Sequence, residues 1–248
     1  MSANHKSKIG VRGLASRAGV LYLVALFMHA SLSPARQWRQ LLALSLSHAV
    51  SDTFVGMIAP VIVPMRDRFG LSLAALIFVS SLLGFTANIL QIPLGHLRAR
   101  WRDPRLICLG VMLAGTAVFI PGLPPGAARV TVMTGLALVA GLGVATVHPE
   151  GLRAVHGLEA VSSSLSTAVF TVAGFMGFAG GALLSASLTA RFGLESLKWC
   201  YLAAPASAVL LFLSGIRVPL ETETDQTRCA MPDSRADIPA VPFAPLFV

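Results

Sequence analysis

His48 and Asp52 stand four positions apart in a stretch, Gln40 to Met65, where Asp52 is the single formal charge. On a helix that spacing stacks both side chains on one face. A carboxylate beside an imidazole in an apolar setting can exchange a proton near neutral pH, since desolvation and the partner pull on its charge in opposite senses. The plainer role for such a pair is structural, pinning one helix to a neighbour. A second group, His148-Pro149-Glu150 followed by Arg153 and His156, reads on its own as a proline-ended helix with interfacial polar residues. Glu150 and Arg153 then form an ordinary i,i+3 pair, worth on the order of tenths of a kcal/mol where exposed.

Glycines make a third feature. Gly174, Gly177, Gly180 and Gly181 fall in one apolar run, with Gly177-x-x-x-Gly181 among them. That spacing lets two membrane helices bring their backbones together. Asn88, Gln91, Thr167 and Thr171 are the remaining polar residues inside apolar blocks that could line a pore; the alternative is interhelical hydrogen bonding, worth about 0.6 kcal/mol each. Two patterns carry no chemistry. Gly141-Leu-Gly143 lacks the third glycine and the preceding strand of a dinucleotide fold. Ser47, His48, Ser51 and Asp52 have the residue types of a hydrolase but follow one another along a single helix, and a triad is defined by geometry. The three cysteines, Cys108, Cys200 and Cys229, have no metal-site or disulfide spacing. No metal and no cofactor is expected.

These residues must be held by membrane-spanning helices. The chain has 248 residues, of which 55% are hydrophobic and 12% charged, with a mean hydropathy of +0.74. Soluble domains carry roughly 25% charged residues. The deficit is not spread evenly. No Asp, Glu, Lys or Arg occurs within 69–97, 106–128, 130–149, 160–190 or 199–216. With 40–65 these make six blocks, each matched to the roughly 20 residues of helix that cross a hydrocarbon core. The blocks predict helices at Leu41–Val63, Leu71–Leu94, Leu106–Ile120, Val130–Val147, Ser163–Ser187 and Trp199–Ile216. Pro121 and the turn Gly122-Leu-Pro-Pro-Gly126 close the third.

The net charge of +8 resides between the blocks. With the amino terminus inside, fourteen of the nineteen basic residues fall on the cytoplasmic side, and Arg66, Arg68, Arg129, Arg191 and Lys198 on the other. The positive-inside rule then places both termini in the cytoplasm of an inner-membrane protein. The charge is a topology signal, so no nucleic-acid partner is expected. Residues 1–39 form a basic extension whose apolar run, Ala18–Met28, is short for a span and lacks a small-x-small cleavage site. Residues 40–218 form the membrane domain. Residues 219–248 are a cytoplasmic tail, polar and proline-containing through Pro239, with the composition of a disordered linker.

Taken together, residues 40–218 resemble the amino-terminal half of the major facilitator superfamily, specifically its fosmidomycin-resistance-type efflux transporters. Ser47-His48-Ala-Val-Ser51-Asp52 is similar to the family's His-x-x-x-Asp in helix 1. His148-Pro149-Glu150 is similar to its His-Pro-Glu, the most specific of the three matches. The glycine-rich run from Phe170 to Gly181 is similar to the antiporter motif of drug exporters, with Ala182 where a proline is usual. The superfamily's loop Gly-x-x-x-Asp-Arg-x-Gly is matched at Gly95 and Arg100, whereas Ala99 and Arg102 replace the aspartate and second glycine. In the family that aspartate helps lock the outward-facing state.

The resemblance implies an all-α bundle of six transmembrane helices, itself two three-helix inverted repeats, as half of a transporter of about twelve spans. It implies proton-coupled efflux of a small molecule or drug, with no enzyme activity. His48 and Asp52 would carry the proton; His148 and Glu150 would couple it to rocking; Gly95 and Arg100 would belong to the gating loop; Gly174, Gly177 and Gly181 would set helix packing. Besides the lipid bilayer, the expected partners are the substrate, protons and a second six-helix half, from another chain or a second copy. Two other readings compete: a truncated remnant that inserts without transporting, and a membrane-embedded enzyme or assembly factor.

Overall fold

The computed structural model describes residues 33–98, 105–124 and 129–216. The basic leader, Arg100 and the tail after residue 216 lie outside these. The described residues form helices: α1 (Pro34–Gly56), a 3-10 turn (Ala59–Val61), α2 (Ile62–Phe69), α3 (Leu73–Ile89), α4 (Gln91–Arg98), α5 (Arg105–Ala114) running into a 3-10 segment (Gly115–Phe119), α6 (Arg129–His156), α7 (Ser163–Phe192), a 3-10 segment (Leu194–Leu202) and α8 (Ala203–Ser214). They join end to end into six rods.

Proline explains most of the joints. Pro64, Pro93 and Pro205 each occupy the third position of α2, α4 and α8. There the missing N–H has no intrahelical acceptor in any case, so each proline starts a helical segment at a bend. Gly70 closes the first rod in the left-handed conformation, φ 63°, which a residue without a Cβ adopts readily. Ser72 and Ser162 cap α3 and α7, accepting from the N–H of Ala75 and Leu165.

Five rods are long and apolar enough to cross a membrane: Pro34–Phe69, Leu73–His96, Arg129–His156, Ser163–Phe192 and Leu194–Ser214. The third rod, Arg105–Phe119, matches the expected Leu106–Ile120 to within a residue at each end and is shorter than the other five. Its five 3-10 residues, with their longer rise, stretch it to about 25 Å. The fourth rod departs from expectation. It does not end at Val147: α6 continues through Pro149 to His156. Pro149 cannot donate to the Ala145 carbonyl, yet ending a helix in hydrocarbon would strand more backbone groups than one proline does.

The packing has an internal symmetry. The first rod packs along the fifth, and the fourth along the second; the first also meets the sixth, and the fourth the third. The first meets the fourth, and the third the sixth. Exchanging rods one to three with four to six maps this pattern onto itself, as two inverted three-rod units require. Small residues set the closest approaches. A Cβ on Gly177 or Gly181 would fall on the α1 backbone at Ala49 or Thr53, and one on Gly56 on the Phe178 carbonyl. The approach lets the Thr53 hydroxyl reach the Gly177 carbonyl at 3.0 Å. In the other unit Gly141 is set against Leu83 and Thr86 of α3, and Gly143 against Gly110 and Ala114 of α5. Gly180 has nothing within 4 Å of such a Cβ and takes no part.

The surface is apolar and the interior partly polar. Phe175, Leu183, Phe212 and Leu213 are each more than 70% exposed, while Ser47, His48, Ser51, Glu150, Ser166 and Ser207 are buried. In water that distribution would be costly; in lipid it is the stable one. The Ser207 hydroxyl donates to Ser47 at 2.8 Å, tying α8 to α1 through the core.

Candidate functional site

Two rods bring ionisable side chains to one point, and a third packs against them. His48 and Asp52 project from one face of α1, four residues apart, with His48 Nε2 at 3.2 Å from Asp52 Oδ2. His148 enters from α6: its Nε2 lies 3.1 Å from His48 Nε2 and 3.5 Å from Asp52 Oδ1. From α7 the Phe170 ring stacks on the His48 imidazole, centroids 4.2 Å apart. Gly174 leaves the space the pair occupies, since a Cβ there would lie 2.6 Å from His48 Nε2 and 2.8 Å from Asp52 Oδ2.

Backbone carbonyls fix both rings. His48 Nδ1 is 2.8 Å from the Phe170 carbonyl oxygen, and His148 Nδ1 is 2.9 Å from that of Val144. A carbonyl only accepts, so each Nδ1 must carry the hydrogen and donate it. In the neutral rings, each Nε2 is then a bare lone pair. Two lone pairs and a carboxylate face one another at 3.1–3.5 Å. Such an arrangement is repulsive until a cation occupies its centre.

The cluster opens onto a cavity of about 430 Å³, whose lining includes Gln91, Ile92, Pro149, Thr171 and Phe175. Of the four polar residues expected to line a pore, Gln91 and Thr171 do so. Asn88 bonds to the Gly84 carbonyl of its own helix at 2.7 Å, and Thr167 to His156 at 3.0 Å.

Glu150 stands apart from the cluster. It follows His148 by two positions, a rotation of about 200° around the helix, and is fully buried. Arg153 Nη1 reaches its carboxylate at 3.3 Å, and Arg153 Nη2 donates to the Gly95 carbonyl at 3.2 Å. The motif His148-Pro149-Glu150 is thus divided: its histidine faces α1, its glutamate joins a link from α6 to α4. Gly95 belongs to that link, with Pro149 Cβ 3.9 Å from where its own Cβ would be.

The parts played by four residues are not legible in the sequence. Phe170 acts through a carbonyl oxygen and a ring face. Gly174 belongs to the glycine run, whose spacing indicates packing but not which side chains it accommodates. Gly141 and Gly143, set aside as a false dinucleotide motif, are close-approach positions, Gly141 against the second rod and Gly143 against the third; the small residues Gly110 and Ala114 are the signal that would have paired Gly143.

An apolar-surfaced bundle of two inverted three-rod units, with an ionisable cluster at the wall of an open cavity, has the architecture of half a secondary transporter. Residues 44–238 match the family model of the Major Facilitator Superfamily, and the chain belongs to that family. It is 25% identical over 169 residues to the fosmidomycin resistance protein of Escherichia coli (strain K12), and 24% identical over 172 residues to the uncharacterized MFS-type transporter YfnC of Bacillus subtilis (strain 168). The matches cover 68% and 69% of this chain and 41% of each relative. The chain spans about two fifths of the length of the curated relatives it matches.

Proposed function

We propose that this chain is one six-helix half of a proton-coupled efflux transporter of the inner membrane, with both termini cytoplasmic. The observation that carries the reading is the convergence of His48 Nε2, His148 Nε2 and the Asp52 carboxylate at a cavity wall, with both Nδ1 hydrogens already committed to carbonyls. A single proton relieves the repulsion among the three acceptors. His48 and Asp52 hold it, and His148 ties its presence to the position of α6. The buried Glu150, through Arg153 and the Gly95 carbonyl, passes movement of α6 to α4, the element that precedes the gating loop. Handling a proton in this way is transport chemistry; it makes and breaks no covalent bond in the substrate.

The substrate is a small molecule admitted to the cavity once a second six-helix half closes over it. The relative named for fosmidomycin resistance makes that drug the first compound to test. In inverted vesicles carrying the chain, accumulation of the drug should depend on an imposed pH gradient, and Asp52→Asn should remove the dependence while leaving membrane insertion intact. Gradient-dependent accumulation that is unchanged by Asp52→Asn would overturn the proton assignment.

A further inference from the structure

The three side chains that face one another are also the donor set of a metal site. We propose that His48, Asp52 and His148 are the protein ligands of a divalent transition-metal ion, with Zn2+ the ion whose geometry fits best.

Bonds of about 2.0–2.1 Å in a tetrahedron put ligand atoms about 3.3–3.4 Å apart. The two imidazole nitrogens are 3.1 Å apart, and each meets its own oxygen of Asp52, His48 Nε2 at 3.2 Å from Oδ2 and His148 Nε2 at 3.5 Å from Oδ1. With one donor atom from each residue, the three lie within 4.8 Å of one another, so a small turn of the carboxylate brings one oxygen to both. Two imidazoles and one carboxylate select Zn2+ and its first-row neighbours over Mg2+ or Ca2+, which prefer all-oxygen shells. The surroundings follow the same chemistry. Ligating histidines characteristically donate their second N–H to a carbonyl or carboxylate, which fixes the tautomer and aims the lone pair. Both do so here, to Phe170 and Val144. The fourth tetrahedral position faces the cavity that the cluster lines, so it is open to water, as in sites that exchange ligands. The ion uses the same lone pairs as the proton, so the two exclude each other.

The test is made on the full chain, purified in detergent without a histidine tag. Co2+ serves as a spectroscopic stand-in for Zn2+. One Co2+ per chain should bind with the strong visible absorption of a four-coordinate ion, be displaced by Zn2+, and be indifferent to Mg2+. His148→Gln and Asp52→Asn should each weaken Zn2+ binding at least about tenfold, since removing a ligand should cost no less than removing a ligand's supporting partner. His96→Gln and His156→Gln, which alter exposed histidines, should bind as the unaltered chain does. Asp52→Asn preserves shape and carries the test if His148→Gln does not fold. Unaltered affinity in the folded ligand variants, or only the weak absorption of a six-coordinate ion, would overturn the site. No transport is measured, so failure here leaves the proton reading standing. Loss of the pH-gradient effect in vesicles would in turn leave the metal site standing.

Discussion

Gly174 lies directly against the imidazole of His48. A Cβ at this position would come within 2.6 Å of Nε2 and 2.8 Å of the neighbouring Asp52 Oδ2. The atoms it would meet belong to side chains, which can swing aside, rather than to backbone. Gly174→Ala should therefore fold and insert normally while displacing the pair from His148. The expected outcome is membrane yield near that of the unaltered chain together with loss of gradient-driven efflux. Fluorescence-detected size exclusion measures the first and vesicle assays the second.

Gly177 and Gly181 differ in kind, because a Cβ on either would meet the α1 backbone at Ala49 or Thr53. Overpacking of this sort costs about 1–3 kcal/mol, and a leucine should exceed that. Gly177→Leu should lower the yield of folded protein sharply. Gly180→Leu, with open space around it, should not. Equal yields for the two would show that α7 does not touch α1 as described.

Pro149 sits inside α6, one residue after His148. Pro149→Ala restores an N–H for the Ala145 carbonyl and removes a ring that crowds it, a change worth up to about 3 kcal/mol in a helix interior. The variant should melt at a higher temperature. It should also lose efflux, because the Pro149 ring lines the cavity beside His148. A higher melting temperature with full activity would show that Pro149 has no part in the site.

The Ser207–Ser47 hydrogen bond, 2.8 Å long and buried, ties α8 to α1. Interhelical bonds of this kind contribute about 0.6 kcal/mol in membranes. A double-mutant cycle on Ser47→Ala and Ser207→Ala should return a coupling near that value. A coupling of zero would mean the two hydroxyls do not bond.

The amount of this legible in the sequence follows the range of each interaction. His48 and Asp52 could be paired because their partnership lies within one helical turn. His148 could be reached through family resemblance but not through spacing, since its partner is 100 positions away and depends on which faces of α1 and α6 meet. The Phe170 carbonyl was beyond reach, because every residue has one. The true end of α6 was missed since proline is a reliable stop in water, where solvent satisfies the freed groups, but a weaker one in lipid. The glycine run predicts close packing on α7 without ranking its members; a Cβ on Gly177 or Gly181 would meet the α1 backbone, whereas one on Gly180 would meet open space. The third rod ends within a residue of the expected Ile120, because Pro121 and the turn after it mark the stop although charge-free sequence continues.

Anchoring Nδ1 of both histidines to carbonyl oxygens limits how anything can move through them. A histidine that conducts protons along a wire receives on one nitrogen and releases from the other. Here one end of each ring is occupied, so an ion that arrives at Nε2 has to leave from Nε2. In the proposed role the cluster would load and unload but not conduct. Net movement across the membrane then requires the helices themselves to change the side on which that single exit opens.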